Sequence, residues 1–367
     1  MKVLFWAELF PPSWLGGVEL FGLQLIHRLQ GAGVDVEVVC DHGMEPLPPV
    51  MEHEGIRVSR FPMRAALMSR DFRRIRVLVE GLQDLFRRFQ PDLVHVNTLQ
   101  LGAFLYLRVP ERRNCKLLLT LHDPPGEPLN QGALPQALAR EADTVVAITA
   151  AVQRDFQKAF PQNRSRQRLI LNGLEPLEDC PHPLPPGPLR LFSAGRLVRD
   201  KGFDLVPQAL ALLKDTSLHW TLAGDGAEEI ALRLQCQQLG LGHQVDFPGR
   251  IPWRDVYREM DKAHLVIMPS RWKEPFGLVA LQAAQRGRPV IASRIGGLPE
   301  VIADGESGLL FEAENVGELA ALINQVSRDR ETLGNLGRAA CERASTFFSM
   351  ETSANHYHSL YMEMLAT

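Results

Sequence analysis

Short apolar runs alternate with longer helix-like patterns along this whole sequence, and the alternation starts twice. Val3 to Trp6, Val34 to Cys40, Leu93 to Val96, Leu117 to Leu121 and Thr144 to Ile148 form a first set. Leu189 to Phe192, Trp220 to Ala223, Val245 to Phe247, Leu265 to Met268 and Val290 to Ala292 form a second. Strands buried on both faces read this way, so the chain is expected to be an α/β protein with parallel sheets covered by helices on both faces. Between the sets, Asn172 to Pro188 carries Pro176, Pro181, Pro183, Pro185, Pro186 and Pro188. Proline at that density removes backbone donors and holds the chain extended. We therefore read 173–188 as a linker between a domain spanning 1–172 and one spanning 189–346; 367 residues are comfortable for two domains. The final segment, Met350 to Leu365, places Tyr357, Leu360, Tyr361 and Met364 on one helical face.

Composition removes several classes of function. A formal net charge of -3 offers no bulk attraction to nucleic acid. The run Val3 to Phe10 is interrupted by Glu8 and ended by Pro11-Pro12, too short and broken for a signal peptide or a membrane span. The five cysteines, at 40, 115, 180, 236 and 341, are odd in number, scattered, and without a C-x-x-C pair. That pattern predicts reduced thiols in the cytoplasm, with neither a disulfide framework nor a zinc site. The phosphate cradles G-x-G-x-x-G and G-x-x-x-x-G-K-[ST] do not occur, which speaks against a dinucleotide oxidoreductase or a P-loop ATPase.

Two segments carry chemistry. In Glu274-Pro275-Phe276-Gly277-Leu278-Val279-Ala280-Leu281-Gln282, a carboxylate, a glycine turn and a helix start lie side by side. Glu274 offers acceptors to hydroxyls, while the backbone N–H groups of Phe276, Gly277, Leu278 and Val279 can face a phosphate where the helix begins. Gln282, eight residues on and about two turns along, is expected on nearly the same face as Glu274. Its amide either donates to and accepts from ligand hydroxyls or serves as a neutral core-edge residue. The second segment, Ser193-Ala194-Gly195-Arg196-Leu197-Val198-Arg199-Asp200-Lys201-Gly202, follows a strand and precedes a helix, so Arg196 and Lys201 should present two cations suited to a diphosphate. Taken alone they would be an ordinary solvated pair.

Together these segments resemble the family 4 retaining glycosyltransferases of GT-B architecture, two Rossmann-like domains facing a cleft. Leu222-Ala223-Gly224-Asp225-Gly226, Phe247-Pro248-Gly249, Pro269-Ser270 and Gly296-Gly297-Leu298-Pro299-Glu300 match in order and spacing as well. The resemblance implies transfer of a sugar from a nucleotide-diphosphate donor to a sugar, glycan or lipid-linked acceptor, as in polysaccharide biosynthesis. It implies that Arg196 and Lys201 hold the diphosphate, that Glu274 meets the sugar, and that Ile251 contacts the base through its backbone. Gln282 stands where the family usually has a second Glu, which contacts ribose. A terminal helix, about 347–367, would cross back onto the N-terminal, acceptor-binding domain. Other readings are a sucrose-type synthase or phosphorylase on a soluble sugar phosphate, and a catalytically inactive nucleotide-sugar-binding relative.

No Asp-x-Asp occurs, so no cofactor or metal is expected, the charge on the departing diphosphate being met by Arg196, Lys201 and a helix N-terminus. In the N-terminal half, Gly16-Gly17-Val18-Glu19 opens a helix and permits close approach of a ligand. His122, followed by Asp123-Pro124-Pro125, ends a strand where a parallel sheet presents residues to a crevice; the resemblance places a His there, near the donor sugar. Residues Arg70 to Phe89 form an amphipathic helix whose stripe of Phe72, Ile75, Val79, Leu82, Phe86 and Phe89 is expected to face the core. Arg73, Arg74, Arg76, Arg87 and Arg88 around it suit peripheral contact with an anionic membrane at its inner face.

Overall fold

The structure is a computed structural model and describes residues 1–13, 16–69, 71–123, 133–178, 180–213 and 217–366. Arg70, Pro124, Pro125 and Asp179 lie outside these ranges. The chain forms two compact units, one of Met1–Glu175 with Met350–Thr367, the other of Pro176–Ser349.

The first unit contains β1 (Lys2–Trp6), α1 (Gly17–Gly31), β2 (Asp35–Asp41), β3 (Val50–His53), β4 (Ile56–Phe61), α2 (Met63–Ser69), α3 (Phe72–Phe89), β5 (Leu93–Val96), β6 (Lys116–Leu121), α4 (Ala133–Glu141), β7 (Thr144–Ala147), α5 (Ala150–Ala159) and β8 (Gln167–Leu169). Its sheet runs β3-β4-β2-β1-β5-β6-β7-β8, parallel except for the β3–β4 hairpin. Val3, Leu4, Phe5 and Trp6 are all buried, as a central strand covered on both faces requires. Strand order reverses between β1 and β5, so Gly16 and Gly17 follow one strand of the switch point and Asn97 the other.

The second unit contains β9 (Leu189–Ala194), α6 (Leu205–Ala211), β10 (Leu218–Ala223), α7 (Glu229–Gln238), β11 (Val245–Gly249), α8 (Trp253–Lys262), β12 (Leu265–Met268), α9 (Leu278–Gln285), β13 (Val290–Ser293), α10 (Leu298–Val301), β14 (Gly308–Phe311), α11 (Val316–Ser327) and α12 (Arg330–Phe347). The sheet order is β11-β10-β9-β12-β13-β14, with every pairing parallel. Its switch point is the β9–β12 boundary. Trp220 and Phe311 are fully buried in its core. The last helix, α13 (Met350–Ala366), belongs to the first unit. Its Tyr357, Leu360, Tyr361 and Met364 join that unit's core, and Tyr361 and Thr120 hydrogen-bond the two ring nitrogens of the buried His95 at 2.6 and 2.8 Å.

Several expectations require correction. Most of the proline-rich segment is part of the second unit: Leu184 packs against its core, and the buried Arg288 donates to the carbonyls of His182 and Pro183 at 2.7 and 2.8 Å. Cys180 and Cys341 form a disulfide, so the expectation of uniformly reduced thiols fails for them, while Cys40, Cys115 and Cys236 are free. The stripe on α3 is buried only from its middle onward, at Leu82, Phe86 and Phe89; Phe72 is 84% exposed. Arg87 and Arg88 are engaged by Glu111 at 2.8 Å and Glu37 at 2.5 Å, and Arg76 and Arg74 by Glu80 at 2.9 Å and Asp71 at 3.5 Å, so most of the basic side chains of this helix already face a carboxylate. Among the described residues no helix is long and apolar enough to cross a membrane.

Candidate functional site

Arg196 lies just past the C-terminal end of β9. The backbone N–H of Gly195 donates to the carbonyl of Ala223 at 3.0 Å and that of Leu197 to the carbonyl of Asp225 at 2.7 Å, so the residue is anchored on both sides. Its side chain is exposed, and among the described residues it has no ion-pair partner. The chain then makes a 3₁₀ turn, Arg199–Lys201, which presents Lys201.

Glu274 lies past the end of β12, the neighbour of β9. Open parallel sheets bind ligands outside the carboxyl ends of strands at such a switch point. The Lys201 ammonium donates to Glu274 Oε1 at 2.5 Å, and the Ser270 hydroxyl donates to the same oxygen at 2.8 Å. The Lys201 side chain is 19% exposed and that of Glu274 7%. Lys201 also lies over the Trp272 ring, 5.1 Å from its centroid. The two residues assigned separately to diphosphate and sugar are thus direct partners. Pairing the carboxylate with an ammonium and a hydroxyl offsets the cost of burying it.

The carbonyl of Glu274 accepts from the Gly297 N–H at 2.7 Å, and Gly296, at φ +60, passes so close that a Cβ there would lie 2.3 Å from the same oxygen. The Gly296-Gly297 motif is therefore the support behind Glu274. Gly277 caps α9 at φ 89, and Phe276 is buried edge-on to Phe348, with centroids 5.7 Å apart. Among the described residues, the N–H groups of Phe276, Gly277, Leu278 and Val279 make no hydrogen bond. They remain available to an anion, as orphan donors of a helix start are.

Gln282 does not share a helix face with Glu274, because α9 begins only at Leu278 and the left-handed Gly277 turns the chain between them. It is 6% exposed. Beside it, the Tyr257 hydroxyl donates to Gln285 Oε1 at 3.0 Å. Burial pushes that phenol up to about 12, against a smaller downward pull from the Gln282 amide. Ile251 is half-buried in the turn between β11 and α8.

Gly16, Gly17 and His122 belong to the first unit. Glu19 reaches back to accept from the Gly16 N–H at 3.0 Å, fixing the start of α1. His122 is buried at the end of β6, its Nε2 3.1 Å from Asn97 Oδ1, with the Phe21 ring edge-on at 5.5 Å. Burial lowers its pKa to about 3, so the imidazole is neutral near pH 7. At the end of β1, burial and the nearby Asp41 raise Glu8 to about 7. Trp272, Tyr257, Asn97 and Glu8 were not found from the sequence. Ser270 was noted only as part of Pro269-Ser270.

The profile of the glycosyl transferases group 1 matches residues 178–343, and that of Glycosyltransferase Family 4 matches residues 15–178. A glycogen synthase of Mycobacterium tuberculosis is 26% identical over 99% of this chain and 94% of its own length. A D-inositol 3-phosphate glycosyltransferase of Arthrobacter sp. is 34% identical over 47% of this chain and 42% of its own. Among solved structures, a sucrose-phosphate synthase from Thermosynechococcus elongatus superposes with a TM-score of 0.85 at 24% identity, over 100% of this chain and 99% of that one. Anabaena HepE in complex with UDP-glucose superposes with a TM-score of 0.79 at 22% identity, over 99% of this chain and 100% of that one. These structural likenesses are to the GT-B fold.

Proposed function

This chain belongs to the family 4 glycosyltransferases of GT-B fold, and from that membership we propose that it moves a sugar, with retention of anomeric configuration, from a nucleotide-diphosphate donor bound in its second unit. The observation that carries the reading is the Lys201–Glu274 pair at the β9–β12 switch point, with Arg196 on the same loop after β9 and the unbonded N–H groups of the α9 start following Glu274. Arg196, Lys201 and that helix start would take the departing diphosphate, lowering its charge as it leaves. Glu274 Oε2, which is not used by Lys201 or Ser270, would accept from sugar hydroxyls. Ile251 would meet the base and Gln282 the ribose.

Among the described residues no carboxylate stands out as a covalent nucleophile. In the proposed step the acceptor oxygen bonds to the anomeric carbon on the face from which the diphosphate departs; the carbon–oxygen bond to phosphate breaks, and the acceptor proton passes to a leaving phosphate oxygen. The first unit would bind the acceptor, with Gly16 and Gly17 permitting close approach of a ligand. His122, held neutral by burial, would act there as a hydrogen-bonding group rather than a cation. Glycogen synthase and inositol phosphate glycosyltransferase relatives favour a sugar, glycan or polyol acceptor, and HepE complexes with UDP and UDP-glucose favour a uridine donor. Exposed Phe72 and Val77, with Arg73, Arg74 and Arg76, would suit anionic lipid if the acceptor is lipid-linked.

The reaction is proposed to need no metal, because Arg196, Lys201 and the start of α9 would supply the positive charge that the departing diphosphate requires. Incubation with UDP-, ADP-, GDP- and dTDP-sugars in excess EDTA is expected to release nucleoside diphosphate from one of them. Strict dependence on added magnesium or manganese would overturn the metal-free assignment. Failure to turn over any donor with or without metal would overturn the enzymatic one.

A further inference from the structure

The Lys201 ammonium lies between two partners of different kind. One is the Glu274 carboxylate at 2.5 Å; the other is the face of Trp272 at 5.1 Å. An arriving diphosphate competes with Glu274, because both are anions seeking the same donor hydrogens. It does not compete with Trp272, whose ring attracts the cation through its quadrupole. Glu274 Oε1 keeps the Ser270 hydroxyl at 2.8 Å when the ammonium turns elsewhere, so the exchange leaves neither group stranded.

The segments bearing Lys201 and Trp272 are also bonded into one piece. The carbonyl of Asp200 accepts from the N–H groups of Arg271 and Trp272 at 2.8 and 3.1 Å. The Arg271 guanidinium donates to the Arg199 carbonyl at 3.2 Å and takes both oxygens of Asp204 at 2.5 and 2.9 Å. The spacing of the two backbone segments that carry Lys201 and Trp272 is therefore held by these bonds and by a two-pronged ion pair, none of which uses the Glu274 carboxylate. We propose that Trp272 is a positioning residue, holding the Lys201 ammonium toward the donor diphosphate once Glu274 is released to the sugar hydroxyls. This rests on the reading of Lys201 as a diphosphate ligand.

The test uses the full-length protein and whichever of UDP, ADP, GDP or dTDP gives the largest thermal shift. Trp272→Leu is expected to raise the Kd of that nucleoside diphosphate about 3- to 30-fold, the range of a cation–π contact. Trp272→Phe, which keeps a ring face, should recover most of the loss. In a Lys201→Met background Trp272→Leu should change Kd less than twofold, whereas in an Arg196→Ala background its full effect should persist. An equal effect of Trp272→Leu with and without Lys201, or Phe behaving like Leu, would overturn the proposal while leaving the site intact. If Lys201→Met itself does not weaken binding, or none of the four nucleotides binds, the underlying site is wrong and this proposal falls with it.

Discussion

Gly296→Ala should disable transfer without replacing any side chain proposed to meet the donor. At φ +60 an alanine adopts a left-handed conformation that costs about 1–2 kcal/mol. The added Cβ would also lie 2.3 Å from the Glu274 carbonyl oxygen and 2.8 Å from its nitrogen, distances that real Cβ contacts do not show. Relieving the overlap needs a shift of roughly 0.7 Å or more in the Glu274 backbone, and a displacement near 1 Å in a positioned group can cost about 10²-fold in rate. Gly305→Ala is the control. It carries similar strain at φ +76 with nothing within 4 Å of the new Cβ, so it should lower Tm by about 2–8 °C and leave turnover unchanged. Thermal melts and steady-state transfer on both variants separate strain from displacement. If Gly296→Ala keeps turnover within about twofold of Gly305→Ala, the claim that this glycine supports Glu274 is wrong.

His95 and His122, both lowered to about 3 by burial, bind protons only in the unfolded chain, so the stability their neutral forms permit is present above pH 6.5 and lost as pH falls toward 3. Each contributes a slope of about 1.4 kcal/mol per pH unit in that window; Glu8, raised to about 7, opposes it between pH 4.5 and 7. Urea unfolding of His95→Asn across pH 4 to 6 should show a shallower slope by about one histidine, and an unchanged slope would contradict the assignment. Gln282→Ala should weaken nucleoside diphosphate by about 0.5–1.5 kcal/mol in calorimetry if the amide touches ribose; no change would leave Gln282 as a partner of Tyr257 alone. Anionic vesicles should retain the protein at low salt and release it as salt rises, less so for Phe72→Ser with Arg73→Gln, and absence of flotation at low salt would remove the lipid surface.

The strands at the centre of both sheets were readable because they are apolar and buried on both faces, as Val3 to Trp6 and Leu265 to Met268 show. The strands that escaped notice are short or lie toward the sheet edges. In β8, Arg168 and Leu169 are exposed, and in β4 the apolar pattern is broken by Ser59 and by Arg60, whose buried guanidinium donates to the carbonyls of Phe10 and Pro11. Arg196, Lys201 and Glu274 are visible as residues, but the pairing of Lys201 with Glu274 is not, since it depends on two loops meeting beside adjacent strands. Trp272 was invisible for the same reason: its partner is supplied by another loop. The Glu274–Gln282 spacing misled because a helical count was carried across Gly277, whose left-handed turn ends the periodicity. The disulfide joins residues 161 apart without any spacing motif, and only tertiary structure brings those sulfurs together.

The central claim is that protein cations, Arg196 and Lys201, hold the departing diphosphate. Its most direct test is the rate of sugar transfer by Arg196→Ala and Lys201→Ala in excess EDTA, alongside their thermal melts. Each variant should lose about 10²- to 10³-fold in turnover, the scale for removing one preorganised charge stabiliser; Arg196→Ala, at an exposed side chain, should melt close to the parent protein, and Lys201→Ala, which takes the ammonium from the buried Glu274, should melt lower but cooperatively. Full activity in either variant would contradict the account.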